Sequence, residues 1–332
     1  MYYNFSNDTN DMNEEALGSL REVLNQYEIL SSYHLSKESK RVIIGEKDFK
    51  CIFCQRSKPE VRFKSKAHAL PQLIGNNTLF THRECDICNA KFGRILESHF
   101  ANFMHLDHLV AGMKGKEGHL KFKTQDALVV TDGANINWSK IPDENLKYDA
   151  EAGKMQIKQK VPTFIPVGVY KCLVKMALTT IPVERLSNFE STLEWLSEDS
   201  HTATNFSFKE LPLIYGSSST SDQVSEISAI VIERKDKTAV HQPRFMFRLT
   251  YRNFVFQIAI PLADQEDMKA WKNLPYIPNL LDLEHGFDRL NYIGLNFSST
   301  EPFSGLVTTY TVIDLDKKEI VKATNKNNRN EK

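Results

Sequence analysis

Residues 63–97, FKSKAHALPQLIGNNTLFTHRECDICNAKFGRILE, decide the fold. The stretch contains Cys85-x-x-Cys88, and a second pair, Cys51-x-x-Cys54, lies just upstream. Two such pairs can place four thiolates around one tetrahedral zinc, because a two-residue gap suits the short knuckle that points both sulfurs at one ion. A closed shell of four sulfurs leaves no open position, so the expected Zn²⁺ is structural and supplies local folding energy. Between the pairs, the residues read as a basic strand carrying His68, a Pro-punctuated turn, a Gly-Asn-Asn turn, a short apolar strand, and a helix from about Cys85. The expectation is a ββα unit closed at its base by metal.

The surroundings of this unit are basic. Residues 36–68 hold ten Lys or Arg against four Asp or Glu, a net of +6 in a chain whose formal charge is zero. A phosphate-binding surface, if present, is therefore local. The five Cys follow the same logic. The opening MYYNFSNDTN lacks a basic start and an apolar stretch, so a reducing cytoplasm is expected, where Cys are metal ligands or free thiols. No run of 18 apolar residues suggests a membrane span.

Composition is that of a globular chain of 332 residues, 41% hydrophobic and 25% charged, with 20 Phe and 11 Tyr to fill a core. Residues 13–30 read as an amphipathic helix on Leu17, Leu20, Leu24 and Tyr27, with Asp11 and Glu14 as its start signal. Strands are expected at 126–131 and 154–161, with Asp132-Gly133 as a turn. Helices are expected at 169–178, with Leu173, Val174, Ala177 and Leu178 facing a core, and at 183–197. Cys172 falls on the first of these as a small buried hydrophobe. Residues 227–233 suit a strand covered on both faces. Residues 244–251 and 254–260 alternate as a hairpin with an aromatic face, Arg248 and Thr250 lying on its other side. The predicted class is α+β: a zinc-stapled ββα finger followed by a mixed domain with an antiparallel, β-rich last third. The predicted segments are 1–47 (helix and basic linker), 48–112 (finger), 113–322 (accessory domain) and 323–332 (disordered tail).

The finger resembles the HNH endonuclease superfamily, in the branch with an Ala-His-x-x-Pro strand and a Cys-x-x-Cys-Asn-x-x-Phe-Gly helix. Here these are Ala67-His68-Ala69-Leu70-Pro71 and Cys85-Asp86-Ile87-Cys88-Asn89-Ala90-Lys91-Phe92-Gly93. The resemblance implies a metal-dependent phosphodiester hydrolase. His68 would be the general base, since imidazole titrates near neutrality. Asn89 would be a ligand for a catalytic Mg²⁺ or Mn²⁺, a hard cation that takes oxygen donors. Ala67 stands where many relatives carry an acidic ligand. Glu97 is a candidate replacement, offset from Asn89 by about 80° on a regular helix. Asn76, Asn77 and His82 are candidates to brace the loop that orients His68, with Asn76 favoured. Lys64, Lys66, Arg83, Lys91 and Arg94 would meet nucleic acid, DNA first and RNA second, mostly at phosphates. The same resemblance suggests a bacterial anti-phage or mobile-element setting, as a homodimer or with a partner protein in a defence complex. The competing reading is a non-catalytic zinc finger that binds nucleic acid or protein; a purely structural knuckle has no need of His68.

Overall fold

The computed structural model describes residues 13–115, 118–123, 128–131, 136–139, 143–149, 154–202, 210–217, 226–239, 242–262, 274–279, 282–283 and 291–312. The expected Asp132-Gly133 turn and the 323–332 tail lie outside them. The fold is α+β, with the Cys cluster near the N-terminus and a six-stranded antiparallel sheet built mainly from the C-terminal part.

The first helix, α1 (Glu14–Gln26), is capped by Asn13, whose Oδ1 accepts from the Ala16 N–H at 3.0 Å. This cap replaces the expected one at Asp11. The helix also stops short of residue 30, because Tyr27–Leu35 is a strand, β1. β1 forms an edge of the sheet, paired antiparallel with Ile227–Arg234. Tyr27 anchors the change of direction: its ring is buried and its hydroxyl donates to the Pro243 carbonyl at 3.0 Å.

Short strands β2 (Val42–Ile44) and β3 (Leu79–Thr81) pair in parallel in the finger. The remaining sheet strands are β4 (Pro212–Ser217), β5 (Ile227–Arg234), β6 (Phe245–Tyr251), β7 (Phe254–Ala259) and β8 (Asn291–Asn296). Their spatial order is β1-β5-β6-β7-β4-β8. The expected hairpin is β6–β7, turned at Arg252 with φ 51° and Asn253. The expected strands at 126–131 and 154–161 are Leu128–Thr131 and Lys154–Lys160, each in a separate three-stranded sheet.

The hairpin's second face is not left to solvent. Arg248 is buried, and its Nη1 donates to the carbonyls of Ile277 and Pro278. Gln257 brackets the same segment, donating to the Pro275 carbonyl at 2.7 Å and accepting from the Ile277 N–H at 2.8 Å. Residues 274–279 thus lie across the polar side, so both faces of β6 and β7 are buried.

The long helix α5 (Pro166–Thr180) has proline in its first turn, where its missing N–H costs nothing. The sequence suggests one apolar face, but every residue from Val167 to Thr180 is buried, Lys171 and Lys175 included. The reason is position: α5 packs against the sheet strands β5, β6 and β7 and against the finger helices. The expected 183–197 helix is a 3₁₀ stretch, Val183–Phe189, followed by α6 (Glu190–Ser197). A single apolar cluster joins Phe53 and Phe92 in the finger, Phe100, the α5 side chains, and Phe247 and Phe256 in the sheet. Among the described residues, no helix is long and apolar enough to cross a membrane.

Candidate active site in a thiol-stapled finger

Cys51 and Cys54 sit on a tight knuckle, closed by the Cys51 N–H donating to the Arg56 carbonyl at 2.9 Å. Cys85 is the N-cap of α2 (Asp86–Phe92), and Cys88 lies within its first turn. The four Sγ atoms all lie within 4.8 Å of one another. Cys54 and Cys85 sulfurs are 3.8 Å apart, which matches the edge of about 3.8 Å in a tetrahedron with Zn–S bonds of about 2.3 Å. Hydrogen bonding from Cys88 holds the Cys51 thiol down to about 5. Burial pushes Cys85 up to about 11, and the Cys51 partnership drives Cys88 up. Thiols this crowded resist ionising together unless a cation offsets their repulsion. Among the described residues, this is the one group of three or more His, Cys, Asp or Glu side chains that converges tightly enough for a metal.

The start of α2 is fastened to the segment before His68. The Asp86 carboxylate accepts from the backbone of Lys64 at 3.1 Å and of Ser65 at 2.9 Å, and from the Ser65 hydroxyl at 2.6 Å. The chain then runs antiparallel to β3. Ala69 donates to Leu79 at 3.2 Å and Thr81 to Ala67 at 2.9 Å, so that His68 faces Phe80 across one bridge. The half-buried His68 ring packs on Phe80 with centroids 4.6 Å apart. The Arg41 guanidinium lies 4.4 Å from the same Phe80 ring.

Asn76 ties the loop between these two segments. Its Nδ2 donates to the carbonyls of Leu70 at 2.6 Å and Leu79 at 2.8 Å, and its Oδ1 accepts from Thr78 at 3.2 Å and Leu79 at 2.9 Å. It is buried, and these four bonds occupy both ends of its amide. Asn77 is exposed and His82 packs on Phe49, so the bracing geometry belongs to Asn76.

Asn89 is half-buried on α2, and its side chain makes no hydrogen bond among the described residues. Glu97 follows at the end of a π-helical turn, Gly93–Glu97. That turn is wider than an α-turn, so the 80° offset expected from Asn89 on a regular helix does not apply. The Glu97 side chain keeps 24% exposure.

The five expected nucleic-acid contacts divide. Lys64, Lys66 and Arg94 are exposed. Arg83 instead donates to the Ile181 carbonyl at the end of α5, at 2.7 Å, and packs against Gly45, where any Cβ would sit 2.7 Å from Arg83 Cγ. Lys91 is held by the Ser197 carbonyl and by Asp199, at 2.8 Å, at the end of α6. These two cations join the finger to the helices behind it.

Sequence reading passed over two residues that the fold brings to this site, Glu84 and Lys175. The Lys175 Nζ lies 2.9 Å from Glu84 Oε2 and 3.8 Å from Glu97 Oε1, and donates to the His68 carbonyl at 3.5 Å. The available signal was a pair of lysines, Lys171 and Lys175, in an otherwise apolar helix. Buried cations of this kind require partners. Lys171 finds the Trp195 carbonyl at 2.6 Å and Glu198 at 3.4 Å.

No curated protein and no solved structure gives a significant match to the chain. Residues 51–105, which span the thiol cluster, His68, Asn76, Asn89 and Glu97, match the model of a family described as HNH endonuclease.

Proposed function

We propose that the finger is the catalytic centre of a metal-dependent endonuclease that hydrolyses phosphodiester bonds of DNA. The observation that carries this reading is the support built around His68. A half-buried imidazole sits on a segment whose loop is held by four Asn76 hydrogen bonds and whose entry is pinned to α2 by Asp86. A knuckle that only binds a partner has no need to hold an imidazole this firmly. Catalytic side chains do need it, because small misplacements are costly.

In this reading His68 accepts the proton of the attacking water. Asn76 is a positioning residue, since its amide has no group left for substrate. Cys51, Cys54, Cys85 and Cys88 hold the structural Zn²⁺. Asn89 and Glu97 are the oxygen donors for a catalytic Mg²⁺ or Mn²⁺. Two protein oxygens suit such an ion, which keeps waters and takes up substrate phosphate. When bound, the ion supplies charge stabilisation to the phosphate and the leaving oxygen. The exposed Lys64, Lys66 and Arg94 contact the phosphate backbone without specifying sequence.

The test is incubation of the purified protein with plasmid and with a structured RNA, each with Mg²⁺ or Mn²⁺, beside His68→Ala. The expected result is DNA cleavage by the wild type and a rate about 10²–10⁴-fold lower in the variant. Tight DNA binding by both proteins, with no cutting under either cation, would overturn the reading in favour of a binding module. Cutting of RNA alone would change the substrate.

A further inference from the structure

Lys175 is more heavily engaged than charge compensation requires. Its side chain is 1% exposed and that of Glu84 is 0% exposed. Removing two charges from water is costly, and their attraction offsets this only with good geometry and further hydrogen bonds. Glu84 alone, at 2.9 Å, would compensate the ammonium. The structure adds the Glu97 carboxylate at 3.8 Å and the His68 carbonyl at 3.5 Å. An ammonium has three donors, and here its three oxygen neighbours come from three separate parts of the finger: the residue before Cys85, the π-helical turn and the His68 segment. The ammonium itself arrives from outside the finger, on a helix packed between the finger helices and the sheet. α5 can come this close because residue 168 is glycine; a Cβ there would stand 2.5 Å from the His99 ring on α3 (Ser98–Phe103).

We propose that Lys175 is a positioning residue of the nuclease centre, holding the His68 main chain and the Glu97 carboxylate in the arrangement in which they meet a divalent cation and the scissile phosphate. The inference rests on the nuclease reading above and extends it. The finger's chemistry is set from behind, by a helix that the finger shares with the sheet, and the finger without α5 is an incomplete site.

Lys175→Met alone would leave Glu84 buried and uncompensated. The test therefore uses Lys175→Met/Glu84→Gln, which removes both charges, and Lys175→Arg, which keeps a cation but replaces a compact point charge with a broad planar fork. Each full-length variant is measured for zinc content, thermal unfolding, kcat and KM on plasmid, and Mn²⁺ affinity by electron paramagnetic resonance without substrate. The expected result is a zinc-loaded, cooperatively folded double variant. Its kcat falls about 10–100-fold, with KM close to wild type, and its Mn²⁺ binding weakens by a similar factor. Lys175→Arg should show the same pattern with a smaller loss. Wild-type kcat and Mn²⁺ affinity in either folded variant would overturn the proposal and leave the pair as a structural one. Loss of zinc from both variants would make Lys175 a folding residue and overturn it equally. If the wild type cuts nothing, the nuclease reading fails on its own account, and unchanged or weakened Mn²⁺ binding still decides whether Lys175 organises a cation site.

Discussion

The finger and the six-stranded sheet share one apolar cluster but are held in different ways. In the finger, regular structure is scarce: β2 and β3 have three residues each and α2 has seven. Its loops are pinned by side chains bonded to backbone, chiefly Asn76, Asp86 and Thr81, beside scattered backbone pairs, and its base is four converging thiols. In the sheet, ladders satisfy the backbone and the stabilisation is apolar. Phe245, Phe247, Leu249, Phe256 and Ile258 are fully buried. The difference teaches that two neighbouring parts of one core can answer to different variables, the finger to metal and the sheet to the amount of carbon removed from water.

That contrast can be broken or sharpened by experiment. The largest effect is expected at the metal. Cys51→Ser, or a strong chelator, should remove the zinc and unfold residues 51–105, since structural zinc in small fingers binds with about 10–16 kcal/mol. Metal analysis together with limited proteolysis checks this. Cuts confined to the finger support the contrast, whereas an unchanged digestion pattern after zinc removal would abolish it. Next comes Phe256→Ala, which leaves a cavity beneath α3 where Phe256 meets Phe100 at 5.3 Å. It should cost about 3–5 kcal/mol in urea unfolding while zinc content stays at the wild-type level.

The smallest expected effect is a pH dependence on the sheet side. His108, on α4 (His105–Val110), is buried with Nε2 2.8 Å from the Tyr251 hydroxyl, and burial lowers its pKa to about 3. A histidine whose folded pKa is depressed gains protons on unfolding. Its neutral burial therefore favours the fold above the ordinary value near 6.5, and stability is lost as pH falls from there towards 3. Between pH 6.5 and 4.5 the loss should reach about 2 kcal/mol. Asp107, whose carboxyl burial raises to about 6, opposes most of it over the same range, so the histidine's share is read by difference. Comparing urea midpoints of the wild type and His108→Gln at the two pH values isolates the histidine from any zinc lost in acid. Equal slopes for the two proteins would remove His108 as the cause.

Features whose partners lie close along the chain could be read before any coordinates. The paired Cys motifs, the β6–β7 hairpin and the helix after Pro166 each follow from spacing, alternation or a local stop signal. Asn76 was favoured among three candidates, and its four bonds all fall within six residues on either side. Features with distant partners were missed or read differently. The start of β1, Tyr27–Leu30, looked like the end of a helix because its partner strand, β5, begins 200 residues later in the chain. Arg83, Lys91 and Lys175 find their partners 98, 106 and 107 residues away. Two of them look like phosphate contacts in sequence and prove to be ties to α5 and α6.

The amino-acid sequence alone determined the thiol spacing, the identity of the strand imidazole and helix amide, and the alternation that makes the aromatic hairpin, because each is set by backbone geometry over a few residues. Only the tertiary structure decided which cations remain at the surface, which face of the hairpin is covered, and that an ammonium from α5 reaches the carbonyl of His68. Those outcomes depend on which distant groups approach closely enough to replace water, and local spacing carries no record of that.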